Sequence, residues 1–377
     1  MMSMNPHLND LTRSGIRRFT NLAQQKPGCV MLTIGEPDLD TPEEIKAAAL
    51  TALFQNRTHY APNQGVEALR QEIALWETYR GMECTKEQVL ITAGATGALY
   101  TALTGILSPG DEVIIPVPAF SLYETIVLAA GAKPVFLDIS KTGFQIEEAT
   151  FSRCISDKTK AIILNSPHNP TGTILSCDSL SVVKQAVLGK PIWVLCDNVY
   201  SRLSNACPDL STDPQLKDQL FLCQSFSKPY AMTGWRVGYL IGPEAVMQRL
   251  LLLHAAQNAS ITTFAQDACV AALSVSVQPM QEIYRRRREF VCEKLRQMGL
   301  SFPQPEGAFY VFADISAFAM SSETFCTRLI QEAGVATVPG SCFGCEGYIR
   351  ISYCCDDRAL EEGMRRLELF LQHLRQP

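Results

Sequence analysis

The stretch SFSKPYAMTGWRVGY at residues 225–239 brings a lysine, two serines and an arginine together within a short span. Lys228 follows an apolar run that predicts a buried strand, so we expect a partly desolvated amine with a lowered pKa that attacks carbonyl carbons. Ser225, Ser227 and Arg236 add hydroxyls and a fixed cation, which suit a phosphate group. The stretch predicts carbonyl chemistry beside a phosphate, although Lys228 taken alone would be a surface lysine.

A second stretch, VLITAGATGALYTAL at residues 89–103, predicts an anion site. A buried strand runs into Gly94, Ala95 and Thr96 and passes directly into a helix, whose first N–H groups and positive end converge on one point. The pattern matches neither a Walker A loop nor the dinucleotide fingerprint, which disfavours ATP and NAD. Small residues also serve close packing at such a turn, so this stretch alone leaves both interpretations open.

Two further strand ends carry polar side chains. IWVLCDNVY places Asp197 and Tyr200 after an apolar strand, and NSPHNPTG places Asn169 in a loop stiffened by Pro170. The carboxyl ends of strands in an open α/β sheet are where ligands bind, and a carboxylate there requires a cation or several donors. The alternatives are a helix cap for Asp197 and a plain turn for Asn169.

Taken together, these groups fit one cofactor. Pyridoxal phosphate requires a lysine for its aldehyde, an anionic partner for its ring nitrogen, donors to its phenolic oxygen and a phosphate site. The residues that supply these groups, in the same order, are Lys228, Asp197, Asn169 with Tyr200, and the turn at Gly94 with Arg236. The sequence therefore predicts a pyridoxal phosphate protein.

The elements that position these residues follow from apolar runs that alternate with helical patterns between about residues 86 and 260. Seven runs predict the strands of a mostly parallel sheet between helices: EQVLIT, DEVIIPVP, KPVFLDI, KAIILNSP, IWVLCD, QLFLCQ and RVGYLIG. Near-continuous apolar runs are typical of strands buried on both faces. The predicted fold class is α/β, with a large domain built on this sheet and a smaller α/β domain.

The length of 377 residues exceeds the usual size of one hydrophobic core and favours two domains. We expect residues 1–40 to form an N-terminal segment that packs with the small domain, residues 41–283 to form the large cofactor-binding domain, and residues 284–377 to form the small C-terminal domain. The run Arg285 to Arg288 lies in a helical pattern, and we expect it on a solvated or interface-facing surface.

The composition excludes several kinds of partner. The formal charge of -5 gives no basic footprint for nucleic acid or an anionic membrane. No membrane span or secretory signal is recognised, so we expect a cytoplasmic protein whose 14 cysteines are reduced. Cys342, Cys345, Cys354 and Cys355 have partly zinc-like spacing, but no histidine lies nearby in the sequence, and we expect no metal site.

These motifs, with IGEPD, HYAPNQG and YIRIS, occur in an order that resembles the class I aminotransferases of the fold-type I pyridoxal phosphate enzymes. The resemblance runs from SGIRRF at Ser14 to MRRLELF near the end. It implies transfer of an amino group between an L-amino acid, with glutamate as the expected common partner, and a 2-oxo acid by a ping-pong mechanism. The motif wording is most similar to bacterial enzymes that act on N-acetyl-diaminopimelate, aspartate or aromatic amino acids, the first of which implies lysine biosynthesis.

The resemblance implies cofactor roles for the matching residues. Lys228 would hold the cofactor and move the proton at the substrate α-carbon, and Asp197 would keep the ring nitrogen protonated. Asn169 and Tyr200 would hydrogen-bond the phenolic oxygen, and Phe120 would stack on the ring. The residues that would hold the phosphate are Ala95, Thr96, Ser225 and Arg236.

The resemblance also implies the substrate contacts and the assembly. Arg350 would bind the substrate α-carboxylate bidentately, with Gly35 and Asn169 beside it. Tyr60 of HYAPNQG would reach the phosphate of the neighbouring subunit, which implies a homodimer with shared active sites. The loop PGSCFGCEGY departs from the family pattern PGxxFG by its two cysteines near the expected substrate pocket, which weakens any transfer of substrate specificity.

Two alternatives stay open at this point. A carbon–sulfur β-lyase of the cystathionine type shares the fold, and PHNPTG is compatible with it, although DNVY and WRVGY are more similar to transaminases. A non-catalytic ligand-sensing module is the second alternative. It is disfavoured because Lys228 is present and no DNA-binding helix-turn-helix precedes the motifs.

Overall fold

The computed structural model describes residues 11, 15–204 and 207–376. Ser14 of the SGIRRF motif and most of the first 14 residues of the predicted N-terminal segment lie outside the described residues. The α-helices are Gly15–Gln24 (α1), Glu43–Phe54 (α2), Glu67–Tyr79 (α3), Gly94–Ile106 (α4), Leu122–Ala129 (α5), Glu148–Phe151 (α6), Cys177–Val187 (α7), Glu244–Asn258 (α8), Thr263–Ala272 (α9), Gln278–Gln297 (α10), Ser322–Arg328 (α11) and Asp357–Arg375 (α12). The strands are Val30–Met31 (β1), Val89–Thr92 (β2), Glu112–Val117 (β3), Lys133–Asp138 (β4), Thr159–Asn165 (β5), Trp193–Asp197 (β6), Leu220–Ser225 (β7), Gly238–Ile241 (β8), Tyr310–Asp314 (β9), Val335–Ala336 (β10), Val338–Pro339 (β11) and Tyr348–Ser352 (β12).

The large sheet has seven strands in the order β2-β8-β7-β6-β5-β3-β4. Strands β3 to β7 pair in parallel, and β8 pairs antiparallel with both β2 and β7. Each of the seven apolar runs identified in the sequence forms one of these strands. The predicted mostly parallel seven-stranded sheet is therefore confirmed.

Different helices cover the two faces of this sheet. Helices α4 and α8 contribute Leu99 and Leu250 to the core on one face, whereas α3 and α7 contribute Ile73 and Val183 to the core on the other. Because both faces are covered, the central strands have no solvated side, and all the residues of β7 are buried, whereas the edge strand β4 keeps exposed positions. This burial explains why the strand sequences are continuous apolar runs without polar alternation.

A smaller antiparallel sheet, in the order β11-β12-β9, packs with α1, α10, α11 and α12 around a second core. Strand β1 pairs in parallel with β10, with Val30 opposite Val335, so the beginning of the described chain is joined to its C-terminal part. The domain boundaries after residues 40 and 283 stay predictions. Helix α10 continues across the second of them without a break.

Strand register brings distant parts of the sequence to one edge of the large sheet. Asn165 at the end of β5 lies opposite Asp197 at the end of β6, which lies opposite Cys223 of β7. The Asn165 amide donates to the backbone oxygen of Asp197 at 2.8 Å, and its Oδ1 accepts the backbone N–H of Asn169 at 2.9 Å. Parallel pairing thus places Asp197 at the end of β6 beside the loops that carry Asn169 and Lys228.

Arg287, one arginine of the run in α10, is buried. The prediction of a solvated surface is therefore wrong for this residue. The Arg287 side chain is 7% exposed, and its terminal nitrogens donate to both carboxylate oxygens of Asp38 at 2.7 and 2.8 Å. Its Nε donates to Asp357 at 2.7 Å. Consecutive helical residues point about 100° apart, so in a run of four neighbours one can face inward while the others face solvent.

Replacing Arg287 with Ala is expected to lower the free energy of unfolding by about 2–4 kcal/mol, because the Asp38 carboxylate loses a bidentate partner in a mostly buried site. Arg286→Ala is the matched control, since Arg286 is 58% exposed and makes a single 3.4 Å contact with Asp357. The Arg286→Ala substitution should lower the free energy of unfolding by less than about 1 kcal/mol. Urea unfolding measures both values, and equal losses in the two variants would contradict the assignment.

Candidate active site

Asp197 is a buried carboxylate with one oxygen that lacks a partner. It ends β6, and its Oδ2 accepts a hydrogen bond from the Tyr123 hydroxyl at 2.6 Å. Its Oδ1 is buried and has no hydrogen-bond partner among the described residues. Burial raises the pKa of the carboxyl to about 6, against the hydrogen bond from Tyr123, which lowers it. The free oxygen can accept a bond from a buried N–H donor.

Lys228 lies directly after β7 at the same edge of the sheet. Its Nζ donates to the backbone oxygen of Gly35 at 2.5 Å and lies 5.9 Å from the centre of the Phe309 ring. Burial lowers the pKa of the amine, and the guanidinium groups of Arg236 and Arg350 act in the same direction. A lowered amine pKa increases the fraction of the neutral, nucleophilic form at neutral pH.

The turn at the start of α4 forms a cradle with very little free space. Gly94 has φ +69°, and a Cβ on it would lie 2.7 Å from Nη2 of Arg236. A Cβ on Gly238 would lie 2.8 Å from the backbone nitrogen of Ala95, and Gly238 is opposite Ser225 in the sheet. The packing therefore joins the N-terminal end of α4, with its free N–H groups, to an arginine and a serine.

The remaining residues predicted to hold a phosphate lie beside this cradle. The Ser225 hydroxyl accepts the backbone N–H of Ser227 at 3.0 Å and donates to the Ser227 hydroxyl at 2.9 Å. Arg236 has φ +55°, in the left-handed region, and its Nη1 donates to the backbone oxygen of Thr233 at 2.9 Å. Thr96 lies in the first turn of α4. An anion that accepts from all these donors would sit against positive charge at a helix N-terminus.

Arg350 joins three parts of the chain. It lies on β12, and its Nη1 donates to Oδ1 of Asn169 at 2.8 Å while its Nη2 donates to the backbone oxygen of Thr33 at 2.6 Å. Its Nε is buried without a partner among the described residues. The guanidinium packs over the rings of Tyr310 and Phe343, with its carbon 4.4 and 5.0 Å from the ring centres. A buried guanidinium with a free N–H group is suited to binding a carboxylate.

Two aromatic residues of the predicted site occupy different surroundings. Tyr200 is buried, and its hydroxyl lies 3.0 Å from the hydroxyl of Tyr310. Phe120 precedes α5 and contacts Tyr123 edge-on, with ring centres 6.0 Å apart. Since Tyr123 bonds Asp197, the Phe120 ring lies close to the carboxylate end of the site.

Tyr60 is not brought to the other site residues within a single chain. Its side chain is 89% exposed, and it has no hydrogen-bond partner in the part of the chain that the structure describes. Its expected contact with a neighbouring subunit therefore stays a prediction.

Three site residues were missed by the sequence reasoning. Tyr123 follows Phe120 at helical spacing, and Tyr310 belongs to the motif GAFYVF, but neither position distinguishes a functional hydroxyl from a core aromatic. Cys354 donates its thiol proton to the backbone oxygen of Ile34 at 3.1 Å, next to Gly35. Each of these contacts joins residues far apart in sequence, which no local pattern reveals.

The described residues contain no group of three or more histidine, cysteine, aspartate or glutamate side chains arranged to hold a metal ion. Among the described residues, no helix is both long enough and apolar enough to cross a membrane.

Comparisons with known proteins identify similar chains. Residues 27–367 match the family described as aminotransferase class I and II. The chain is 38% identical to a probable N-acetyl-LL-diaminopimelate aminotransferase of Bacillus subtilis, with 98% of this chain and 95% of that protein covered. It is 36% identical to the arginine–pyruvate transaminase AruH of Pseudomonas aeruginosa, with 92% and 91% covered. A solved structure of the Thermus thermophilus aspartate aminotransferase with maleate superposes with a TM-score of 0.93 at 32% identity, covering 98% of this chain and 100% of that one.

Because the carboxyl of Asp197 is buried, we expect the stability of the folded protein to depend on pH. Because its folded-state pKa of about 6 lies above the ordinary 3.8, the stability contributed by the protonated form is lost as the pH rises through 6. In protein freed of small molecules, the free energy of unfolding of wild type should fall by on the order of 1 kcal/mol between pH 5 and pH 8, relative to that of Asp197→Asn.

Urea unfolding across this pH range measures the difference between the two proteins. Asp138→Asn, at an exposed position on β4, is the control and should give no comparable difference. Parallel pH dependences of wild type and Asp197→Asn would contradict the raised pKa.

Proposed function

The chain belongs to the aminotransferase class I and II family, and from this premise we propose that it binds pyridoxal 5'-phosphate at the site described above. We propose further that it moves an amino group between an L-amino acid, with glutamate as one partner, and a 2-oxo acid by a ping-pong mechanism. The observation that carries the proposal is the unpartnered Oδ1 of Asp197, buried at the same sheet edge as Lys228.

The residues present fit this cofactor. A protonated pyridine nitrogen supplies the N–H donor that Oδ1 of Asp197 lacks, and its positive charge offsets the cost of burying the carboxylate. The cradle at Gly94 leaves backbone N–H groups, a serine and Arg236 for a phosphate. Phe120 offers a ring near Asp197 for stacking. These features support the assignment of Ala95, Thr96, Ser225 and Arg236 to the phosphate.

The cofactor, when bound, withdraws electrons from the bond to the substrate α-hydrogen. Asp197 holds the proton on the ring nitrogen, which strengthens this withdrawal. Asn169 uses its Oδ1 to accept from Arg350, so its amide N–H groups stay available for the phenolic oxygen, together with the Tyr200 hydroxyl. Lys228, with its lowered pKa, would take the proton from the α-carbon of the substrate and deliver it to the aldehyde carbon of the cofactor.

The substrate α-carboxylate is proposed to bind Arg350. The Nε of this guanidinium has no partner among the described residues. If the carboxylate also took over the terminal nitrogen that now donates to Asn169 or to Thr33, the two groups would form a bidentate pair. Gly35 lies beside Lys228 and has no room for a side chain, because a Cβ would lie 1.9 Å from the Tyr310 hydroxyl. Its backbone can therefore approach the carboxylate closely.

The substrate side chain is proposed to enter a groove of about 1660 Å³ between α1 and α5. Phe120 and Phe343 line this groove with the charged side chains of Arg17 and Glu124. The hydroxyl of Ser341, another lining residue, is buried without a partner in the described chain. A long side chain with a polar end, as in N-acetyl-diaminopimelate, fits this lining better than the short side chain of aspartate. The Bacillus subtilis relative, a probable N-acetyl-LL-diaminopimelate aminotransferase, supports the longer of these two side chains.

We also propose a homodimer in which Tyr60 reaches the phosphate of the partner subunit. Tyr60 is 89% exposed, and Phe54 at the end of α2 is 84% exposed. Exposed large apolar side chains in one segment of a chain mark an interaction surface.

Incubation with L-glutamate alone should release about one equivalent of 2-oxoglutarate per bound cofactor and then stop, because the amino group stays on the enzyme until an oxo acid removes it. Lys228→Ala should lower the release rate at least about a thousandfold, since no other residue moves the α-proton. Lys184→Ala, which removes a surface ion pair with Asp213, is the control and should behave like wild type.

Chromatography of the released oxo acid measures this stoichiometry. Continuous release of ammonia and pyruvate from cystathionine without any oxo acid would contradict the transaminase and support the β-lyase.

A further inference from the structure

Tyr310 occupies the point where the cofactor and substrate sites meet. It lies on β9 opposite Ser352 of β12, and it is 2% exposed. Its hydroxyl lies 3.0 Å from the Tyr200 hydroxyl and fills the space where Gly35 has no side chain. Tyr200 is its one hydrogen-bond partner among the described residues. The Tyr310 hydroxyl therefore contacts one residue proposed to bind the cofactor and one proposed to bind the substrate.

The two hydroxyls share one hydrogen bond, and its direction matters. Each phenol has a single proton, so Tyr200 can donate to the cofactor only if Tyr310 donates to Tyr200. Arg350 favours this direction, because its guanidinium carbon lies 4.4 Å from the centre of the Tyr310 ring. A cation against the ring makes a phenol more acidic and a stronger donor. Burial raises the pKa of Tyr310 to about 12, and the charge of Arg350 opposes this rise.

We propose that Tyr310 is a positioning residue for transamination, an inference that rests on the function proposed above. Its hydroxyl donates to Tyr200 and thereby turns the Tyr200 O–H toward the phenolic oxygen of the cofactor. Hydrogen bonds in a chain polarise one another, so this donation also strengthens the bond that Tyr200 gives. Tyr310 acts through Tyr200 and does not itself contact the cofactor.

The same contacts link the two binding sites. A substrate carboxylate on Arg350 neutralises the cation over the Tyr310 ring, which makes Tyr310 a weaker donor to Tyr200. The phenolic oxygen then loses part of its stabilisation as an anion and gains proton affinity. Binding at the carboxylate site is thereby communicated to the cofactor through Arg350, Tyr310 and Tyr200.

The experiment is a pH titration of the visible absorbance of the cofactor-loaded protein without substrate. Tyr310→Phe keeps the ring and its contact with Arg350 but removes the donor. The midpoint should move to higher pH, with a threefold to tenfold rise in proton affinity, roughly half to one pKa unit. Tyr353→Phe is the matched control, since that buried hydroxyl donates to the backbone oxygen of Ala308 and makes no hydrogen bond to Tyr200 or Tyr310, and it should leave the midpoint unchanged.

A double variant tests whether Tyr310 acts through Tyr200. In Tyr200→Phe the midpoint should already be raised, and adding Tyr310→Phe should move it no further. An unchanged midpoint in Tyr310→Phe, or an equal shift with and without Tyr200, would overturn the inference while leaving the aminotransferase proposal intact. A wild-type protein that shows no cofactor absorbance would overturn both.

Discussion

The carboxylate of Asp197, with one oxygen bonded to Tyr123 and the other without a partner, is the constraint on which the rest of the site depends. A buried ionised carboxylate is unfavourable unless it meets a cation or donors, and its pKa rises accordingly. The fold maintains this position because β6 lies between two parallel strands, with Asn165 of β5 bonded to the backbone of Asp197. In the proposed complex, a protonated ring nitrogen would bond the free oxygen and offset this cost.

Arg350 joins the smaller sheet to the rest of the site. Its guanidinium bonds Asn169 from the large sheet and Thr33 from the N-terminal segment, so three separate stretches of the chain meet on one cation. The aromatic rings of Tyr310 and Phe343 shield it from water and strengthen its electrostatic interactions. The proposed substrate and cofactor sites are consequently joined by direct contacts, and the smaller sheet cannot shift without changing the surroundings of Asn169.

Much of this arrangement could be predicted from the sequence. The seven strands follow from continuous apolar runs, and their carboxyl ends are where Asp197, Asn169 and Lys228 lie. The pairs Tyr123 with Asp197 and Tyr310 with Tyr200 could not be predicted, because each joins residues more than seventy positions apart through a single hydroxyl. Arg287 was misjudged for a related reason, since its partners Asp38 and Asp357 lie at opposite ends of the chain. Local patterns fix elements, whereas side-chain pairs between elements depend on packing.

The protonation state of the ring nitrogen shows whether Asp197 binds the cofactor as proposed. Protein loaded with ring-¹⁵N-labelled cofactor can be examined by nitrogen NMR at pH 8, for wild type and for Asp197→Asn. We expect a protonated nitrogen in wild type, because the buried carboxylate would hold the proton, and an unprotonated nitrogen in the variant. An unprotonated nitrogen in wild type, or the same protonated signal in both proteins, would contradict it.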